Sequence, residues 1–396
     1  MHIKKFRNEY LALIISSIIT LILFLKIDTL DYNHPHFKLY WDHHKYLWMA
    51  LHNLDFHIAP FCWRIFVPFI ASILPFEISI NFKIISLLSV ALTGFFVFKI
   101  GQKLFNETLS SFALMFAYFS ISYVSKFVIY DYWLPDAFAY LLITLSIYLI
   151  LIKNDFLFLV VIILGALTKE TVLFVLPLYY TFNATRFFDI KILKKTIIIS
   201  ILPIIIFIAV RILIPPLNDD LNYLNSIAPQ LRIVQFDEST YNLKYLIHKI
   251  GLKRLNEFSL YFLYRITIYS FLIHFIFAFI GLFNAGMMFS KFLPFIILSY
   301  LQIFFAINEE RLVVAAFIPI IVLSIIGQQK IFSRLGSFKI PILTLNLILL
   351  LTIIPSGLFY GSWLIIRQIF LSLVIYIITL VTIKIKLKYF STRNNY

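Results

Sequence analysis

Long apolar runs recur from one end of this 396-residue chain to the other. Runs of 16 to 25 residues are long enough to cross about 30 Å of hydrocarbon as helices. Only α-helices and closed β-barrels satisfy their backbone in lipid, and these runs lack the alternation of barrel strands. With 61% hydrophobic and 13% charged residues, the chain does not fit a soluble domain. The sequence therefore predicts an all-α polytopic membrane protein.

We predict about twelve transmembrane helices, which make residues 1–396 a single transmembrane domain. The first run follows Lys4, Lys5 and Arg7 and resembles the start of a signal peptide. No small-residue cleavage site follows it, so we interpret it as a retained span. The predicted spans lie near residues 10–25, 79–98, 109–125, 136–152, 156–168, 171–183, 196–214, 263–289, 292–307, 312–326, 341–358 and 363–383.

The net charge of +15 is distributed unevenly over the connecting segments. With both termini in the cytoplasm, the cytoplasmic segments hold 18 of the 34 basic residues but 4 of the 19 acidic ones. This bias follows the positive-inside rule, so we attribute the charge to topology and expect no nucleic-acid partner. The acidic residues collect on the outer face, whose long loops are residues 26–78 and 215–262. The search for a functional site therefore starts there.

The first outer loop contains a short amphipathic helix with a carboxylate at its start. Asp42 opens the segment, and apolar residues follow at helical spacing. These residues are Tyr46, Leu47, Met49, Ala50, Leu51 and Leu54. With Trp41 and Trp48 nearby, we predict an interfacial helix on the membrane surface. The alternative is that Asp42 only caps this helix.

Four further sites place ionisable residues next to predicted spans. Arg64 interrupts an apolar stretch, Lys169 and Glu170 lie between two short spans, and Asp136 and Arg311 lie at the starts of spans. Ionisable residues at membrane depth are candidates for function. Three of them have a structural alternative: an anchor that snorkels for Arg64, a simple turn for Lys169-Glu170 and a helix cap for Asp136.

A carboxylate beside several basic residues at the outer interface suits one reaction class. In this reaction a lipid phosphate is the leaving group of an activated sugar, and basic side chains neutralise its negative charge. A carboxylate accepts a proton from an acceptor hydroxyl as the hydroxyl attacks the anomeric carbon. The pattern therefore favours sugar transfer from a lipid phosphate.

The segment "DHHKYLWMALHNLDFHIAPFCWRIFVP", residues 42–68, resembles the first outer loop of the GT-C superfamily of glycosyltransferases. These membrane enzymes use polyprenyl-phosphate sugars, and members carry an acidic residue after the first span, followed by an interfacial helix. "LTKET", residues 167–171, and "NEERLVVAAFIP", residues 308–319, are similar to segments of bacterial members.

The resemblance implies Asp42 as catalytic base, with His43, Tyr46, Asp136 and Glu170 in supporting roles. Arg64, Lys169 and Arg311 would bind the donor phosphate. It further implies inverting transfer to a glycan, lipid or protein acceptor. The reaction would take place at the extracytoplasmic face of the cell membrane, in polysaccharide biosynthesis of the cell envelope.

One departure from the family pattern concerns the residue after Asp42. Many members have a second acid there, whereas this chain has His43. Either His43 substitutes for that acid, or Asp136 completes the site, or the activity is altered. Asp42, His43 and His44 are a poor divalent-metal set because adjacent residues do not all face one ion. We expect no metal or other cofactor.

Three alternatives to this function stay open. A lipid-linked polysaccharide polymerase or ligase would use arginines of the second long loop, and that loop holds Arg232, Lys253 and Arg254. A transporter of a glycolipid or small solute fits less well, because the chain shows no internal repeat and has only 10 glycines. A scaffold with a degenerate site is the third alternative.

Overall fold

In the computed structural model, the described residues are 2–38, 41–218, 220–227, 251–304, 308–333, 339–356 and 362–393. Within these ranges the chain is helical and has no strand, which confirms the all-α prediction. Arg232 and half of the second long loop lie outside the described residues.

Eighteen α-helices, numbered here in chain order, have bounds that the structure gives directly. They are α1 (His2–Lys26), α2 (Asp42–Leu51), α3 (Phe66–Ile73), α4 (Ile78–Phe105), α5 (Thr108–Phe119), α6 (Lys126–Tyr130), α7 (Asp136–Leu151), α8 (Asp155–Thr168), α9 (Leu176–Asn183), α10 (Ile190–Leu213), α11 (Leu221–Ile227), α12 (Leu260–Phe271), α13 (Ile273–Leu282), α14 (Met287–Leu301), α15 (Glu309–Val313), α16 (Phe317–Ser333), α17 (Lys339–Ile353) and α18 (Ser362–Arg393).

Among the described residues, six helices are long and apolar enough to cross a membrane. They are Arg7–Lys26, Ile78–Phe105, Ile190–Leu213, Met287–Phe304, Glu309–Ser333 and Trp363–Thr382. The bent pair α12–α13 is a further candidate if it counts as one span, and α5, α7, α8 and α17 are apolar but shorter. The chain is therefore suited to a membrane, as its composition predicts.

The helices differ in how much apolar surface they bury inside the protein. Helix α4 packs against α1, α5 and α7, and α16 packs closely against α13. Helix α10 lies at the periphery and exposes a long row of apolar side chains. These include Ile197, Ile198, Ile201, Ile204, Ile205, Ile208, Ile212 and Leu213. Such a surface is suited to contact with hydrocarbon, and we refer to it as the lipid-facing surface of α10.

One predicted span, residues 263–289, is wrong as a single helix. The structure breaks it at Leu272, and α12 and α13 meet there at an angle of 113°. Leu272 has a φ of 54°, a left-handed conformation that is uncommon for a leucine. Because neither glycine nor proline lies at the break, the sequence carried no local sign of it.

Helix α2 forms where the sequence predicts it, but its polar side is not open. His43, His44 and Lys45 are buried together with Tyr46, because the helix packs against α3, α4 and the 3₁₀ segment Phe61–Trp63. The sequence does not predict the burial of these polar side chains. Leu51, expected in the apolar stripe, is 53% exposed.

The first long loop is joined to the segment that follows α10. The backbone N–H of Ala59 donates to Asn218 Oδ1 at 2.8 Å, and that of Leu217 donates to the His57 carbonyl at 2.8 Å. Trp63 Nε1 donates to the Ile214 carbonyl at 2.9 Å. Residues 57–63 of the first long loop are therefore hydrogen-bonded to residues 214–218, where α10 gives way to the second long loop.

The contact between α13 and α16 predicts a sharp effect of one methyl group. A Cβ added at Gly281 would lie 1.9 Å from the Leu323 carbonyl oxygen, so the helices must separate. We expect Gly281→Ala to destabilise the protein by about 1–3 kcal/mol, because overpacking outweighs the better helix propensity of alanine, worth about 1 kcal/mol. The midpoint of thermal unfolding in detergent measures this.

Gly251→Ala is the matched control for Gly281→Ala. A Cβ at Gly251 would meet only the Phe304 carbonyl oxygen at 3.7 Å, an ordinary contact. Its unfolding midpoint should equal or exceed that of the wild type. Equal midpoints for the two variants would contradict the close packing of α13 on α16.

Candidate active site

Arg311 joins three parts of the chain that are far apart in sequence. Its Nη2 donates to Asp136 Oδ2 at 2.7 Å, and its Nε lies 3.3 Å from Asp136 Oδ1. Its Nη1 donates to Asp42 Oδ2 at 3.2 Å. Asp42 and Asp136 are the first residues of α2 and α7, and Arg311 lies in α15. One guanidinium therefore connects the first long loop to the starts of two helices.

Lys169 approaches the same carboxylate from another helix end. Helix α8 ends at Thr168, and Lys169 has an extended backbone before the 3₁₀ segment Glu170–Val175. Its Nζ lies 2.5 Å from Asp136 Oδ1. Lys169 and Asp136 are 4% and 1% exposed, so this ion pair is buried. The break between two short helices thus directs a charged side chain inward.

Arg64 and Glu170 form the second half of the site. Arg64 Nε donates to Glu170 Oε2 at 3.2 Å, and its Nη2 pairs with Glu170 Oε1. Its Nη1 donates to the Tyr46 hydroxyl at 3.0 Å. This forked arrangement fixes the plane of the guanidinium. Arg64 is therefore held inside the protein and does not extend freely into the interface.

We call these residues the ion-pair cluster, together with Lys45, whose Nζ is 3.6 Å from Asp42 Oδ1 and 3.9 Å from the centroid of the Phe61 ring. With ordinary charges it contains four cations and three carboxylates, a net charge of +1. The members are Asp42, Lys45, Tyr46, Arg64, Asp136, Lys169, Glu170 and Arg311. The cations of the cluster therefore outnumber its carboxylates by one.

The carboxylates of the cluster differ in their access to solvent. The side chain of Asp42 is 36% exposed and that of Glu170 is 32% exposed, whereas Asp136 is 1% exposed. Asp42 and Glu170 can therefore meet a substrate directly. Asp136 can act only by holding Arg311 and Lys169 in place.

Nearby cations keep the exposed carboxylates ionised. Burial raises the pKa of Asp42, but the positive charges of Lys45 and Arg311 outweigh burial and lower the pKa below its ordinary value. For Glu170, burial is outweighed by Arg64, which lowers the pKa to about 2. Both groups are thus acceptors at neutral pH.

The structure excludes simple capping as the contact of the two aspartates. The N-cap residues are Trp41 for α2 and Pro135 for α7, and neither helix has a capping hydrogen bond from a side chain. Asp42 and Asp136 instead bind Arg311. The cap alternatives for both residues are therefore wrong.

His43 is the predicted site residue that lies away from the cluster. Its Nε2 accepts a hydrogen bond from the backbone N–H of Lys38 at 3.1 Å, so in the neutral ring the proton is on Nδ1. Nδ1 faces Asp131 Oδ2 at 3.8 Å, and the ring packs 4.6 Å from that of Phe37. Asp136, rather than His43, accompanies Asp42.

Sequence reasoning did not select Lys45 or Arg211 as site residues. Arg211 lies in the last turn of α10, and its guanidinium is 4.6 Å from the centroid of the Trp63 ring. The sequence pattern that identified Arg64, a lone arginine in an apolar stretch, also holds for Arg211 and could have identified it.

The basic residues invoked for a polymerase are engaged elsewhere or lie outside the described residues. Arg254 Nη1 lies 2.8 Å from Glu257 Oε2 and forms an ion pair with Glu309 Oε1 at 2.5 Å. Lys253 lies 3.8 Å from Glu257. Arg232 lies outside the described ranges. The described part of this loop therefore adds no cation to the ion-pair cluster.

No arrangement of ligands for a cation is evident in the described ranges. There, no three His, Cys, Asp or Glu side chains come together in a way that could hold a metal ion. The acids of the ion-pair cluster bind arginine and lysine instead.

No protein-family model matches the chain, and no curated protein matches it. The geometry of the ion-pair cluster and the sequence around it are therefore the basis for a functional assignment.

Removal of the Asp136 charge should strongly destabilise the protein. Asp136→Asn leaves Arg311 and Lys169 buried beside a neutral amide, and breaking a buried ion pair in this way costs about 3–5 kcal/mol. We expect a clear fall in the thermal midpoint in detergent. Asp42→Asn is the matched control. Because Asp42 is partly exposed, this substitution should lower the stability much less. Equal losses would contradict the central position of Asp136.

The low pKa of Glu170 predicts how the Arg64–Glu170 pair responds to acid. Because the pKa is lower in the folded state, the stability that the charge contributes is complete above its ordinary value of 4.5 and is lost as pH falls towards about 2. Thermal midpoints of wild type and Glu170→Gln should differ by a constant amount from pH 7 to pH 5 and converge below pH 4.5. A difference that grows on acidification would contradict this.

Proposed function

We propose that this protein is a membrane glycosyltransferase of the GT-C type that uses a polyprenyl-phosphate sugar as donor. The observation that supports it best is the convergence of Asp42, Lys169 and Arg311, which are distant in sequence, in one cluster with Arg64. About twelve spans would place both termini in the cytoplasm and the cluster at the extracytoplasmic face. The acceptor would be a glycan, lipid or protein of the cell envelope.

In the proposed reaction, Asp42 is the general base. An acceptor hydroxyl attacks the anomeric carbon of the sugar, and its proton passes to the Asp42 carboxylate. The hydroxyl attacks the face of the anomeric carbon opposite the phosphate. The bond between the anomeric carbon and the phosphate oxygen breaks as the new bond forms, so the configuration at this carbon inverts. The lipid phosphate leaves with the electron pair.

The cations around Asp42 bear on its strength as a base. A carboxylate with a low pKa is a weak base, so it accepts a proton efficiently only when the attacking hydroxyl has become acidic. This condition is met in the transition state, as the new bond to the sugar forms.

The basic residues would stabilise the leaving phosphate. Arg64, Lys169 and Arg311 are each fixed by a carboxylate, so their positions need no rearrangement during the reaction. Preorganised cations of this kind stabilise developing negative charge. Asp136 acts as a positioning residue, because it holds Arg311 and Lys169 together.

The transporter alternative has one observation in its favour. The span broken at Leu272 is followed by His274, which contacts Ser120 Oγ at 2.6 Å and Ser324 Oγ at 3.1 Å. Broken helices with buried polar groups are typical of transporters. However, the helices of this region meet through Gly281 and Gly327, where backbones nearly touch. This packing is typical of a structural contact between membrane helices.

The test of the proposed base is Asp42→Asn in purified protein, assayed with a panel of polyprenyl-phosphate sugars. Loss of general-base catalysis should lower transfer by about 10²–10⁴-fold. Asp55→Asn, with an 80% exposed carboxylate in the same loop, is the matched control and should retain wild-type activity. Thermal midpoints of both variants separate loss of catalysis from loss of folding.

Asp42→Asn with wild-type transfer would exclude Asp42 as the base. A wild-type protein that binds these donors without transferring sugar would contradict the enzymatic assignment and favour transport or a scaffold.

A further inference from the structure

Arg211 is a cation whose contacts differ from those of the cluster arginines. Its Nη1 donates to the Phe207 carbonyl at 3.0 Å, one turn earlier in α10, and its guanidinium lies 3.3 Å from the centroid of the Phe207 ring. On the other side it lies 4.6 Å from the centroid of the Trp63 ring. In the part of the chain that the structure describes, no carboxylate lies within 4.0 Å of it. Its charge is therefore available to an anion.

The position of Arg211 links the lipid-facing surface to the candidate site. The helix that carries it, α10, exposes a row of isoleucine side chains along its length. Its last turn is held against the first long loop by the bond from Trp63 Nε1 to the Ile214 carbonyl. Glu170 and Arg64 lie close enough to act electrostatically on Arg211. Arg211 thus lies in a helix with an exposed apolar surface and stacks on Trp63, the residue that precedes Arg64 of the ion-pair cluster.

The surroundings of Arg211 indicate the chemical class of its ligand. A guanidinium forms two parallel hydrogen bonds with a phosphate, and its face stacks on aromatic rings such as that of Trp63. Tryptophan is common where hydrocarbon meets the polar interface. The row of exposed apolar side chains on α10 runs from Ile197 to Leu213, and Arg211 lies near its end. A phosphate with a long apolar chain can bind the guanidinium of Arg211 and also cover the exposed apolar side chains of α10. A free phosphate can bind only the guanidinium.

We propose that Arg211, stacked on Trp63, binds the phosphate of a long-chain polyprenyl lipid that reaches the ion-pair cluster from the bilayer along α10. This inference rests on the proposed function and specifies how its donor enters. The net positive charge of the cluster then draws the phosphate from Arg211 towards Arg64. Arg211 is a binding residue, whereas Asp42 is the proposed base.

The experiment measures equilibrium binding of a polyprenyl monophosphate to the full chain in nanodiscs of zwitterionic lipid. Arg211→Gln should weaken binding by about tenfold or more, the loss expected for a charge-assisted contact. Arg211→Lys keeps the charge but not the fork, so it should bind with intermediate affinity. Arg186→Gln removes the same charge from an exposed site before α10 and is the matched control, with unchanged binding.

Two further probes distinguish the source of the phosphate. Polyprenol, which has the chain without the phosphate, should bind weakly to the wild type and show no dependence on Arg211. Inorganic phosphate should not displace the lipid at millimolar concentration. Displacement at that concentration, or equal affinity of Arg211→Gln and wild type for the lipid, would overturn the inference.

The outcome separates this inference from the proposed function. Lipid binding that depends on Arg211, without sugar transfer, would support the lipid site and contradict the enzymatic assignment. Sugar transfer that depends on Asp42 but not on Arg211 would support the enzyme and overturn the lipid site.

Discussion

The ion pair between Arg311 and Asp136 is the interaction on which the rest of the candidate site depends. Both side chains are largely buried, at 10% and 1% exposure, where an unpaired charge is very unfavourable. Asp136 also binds Lys169, and Arg311 also binds Asp42. The pair therefore fixes the start of α7, the start of α15, the end of α8 and the first long loop relative to one another.

Such a cluster is not explained by stability alone. Burying cations and carboxylates costs desolvation free energy, and well-packed apolar residues are often as stable or more stable in their place. This chain has 61% hydrophobic residues, so apolar side chains at the positions of the cluster would fit its composition. A cluster of four cations and three carboxylates in such a chain is more typical of a functional site, where fixed charges act on a substrate.

The sequence predicted much of this arrangement, because its signals are local. Runs of apolar residues locate most helices to within a few residues, and charged residues at their ends identify Asp42, Asp136 and Arg311 as candidates. The partners of these side chains are set by contacts distant in sequence, which periodicity does not report. The break at Leu272 has no glycine or proline to mark it. The stacking of Arg211 on Trp63 is likewise a contact between residues distant in sequence, so the sequence does not predict it.

The arrangement of exposed and buried groups bears on how two unlike substrates can share one site. A polyprenyl phosphate comes from hydrocarbon, whereas an acceptor hydroxyl comes from water, so a transferase must open to both. The side chain of Asp42 is 36% exposed, and Arg211 lies in the last turn of α10, whose apolar side chains are exposed. The charge of Arg64 acts on Asp42, and the charges of Arg64 and Glu170 both act on Arg211. On the proposed function, sugar would pass from lipid to acceptor across this pair, with its phosphate kept away from water.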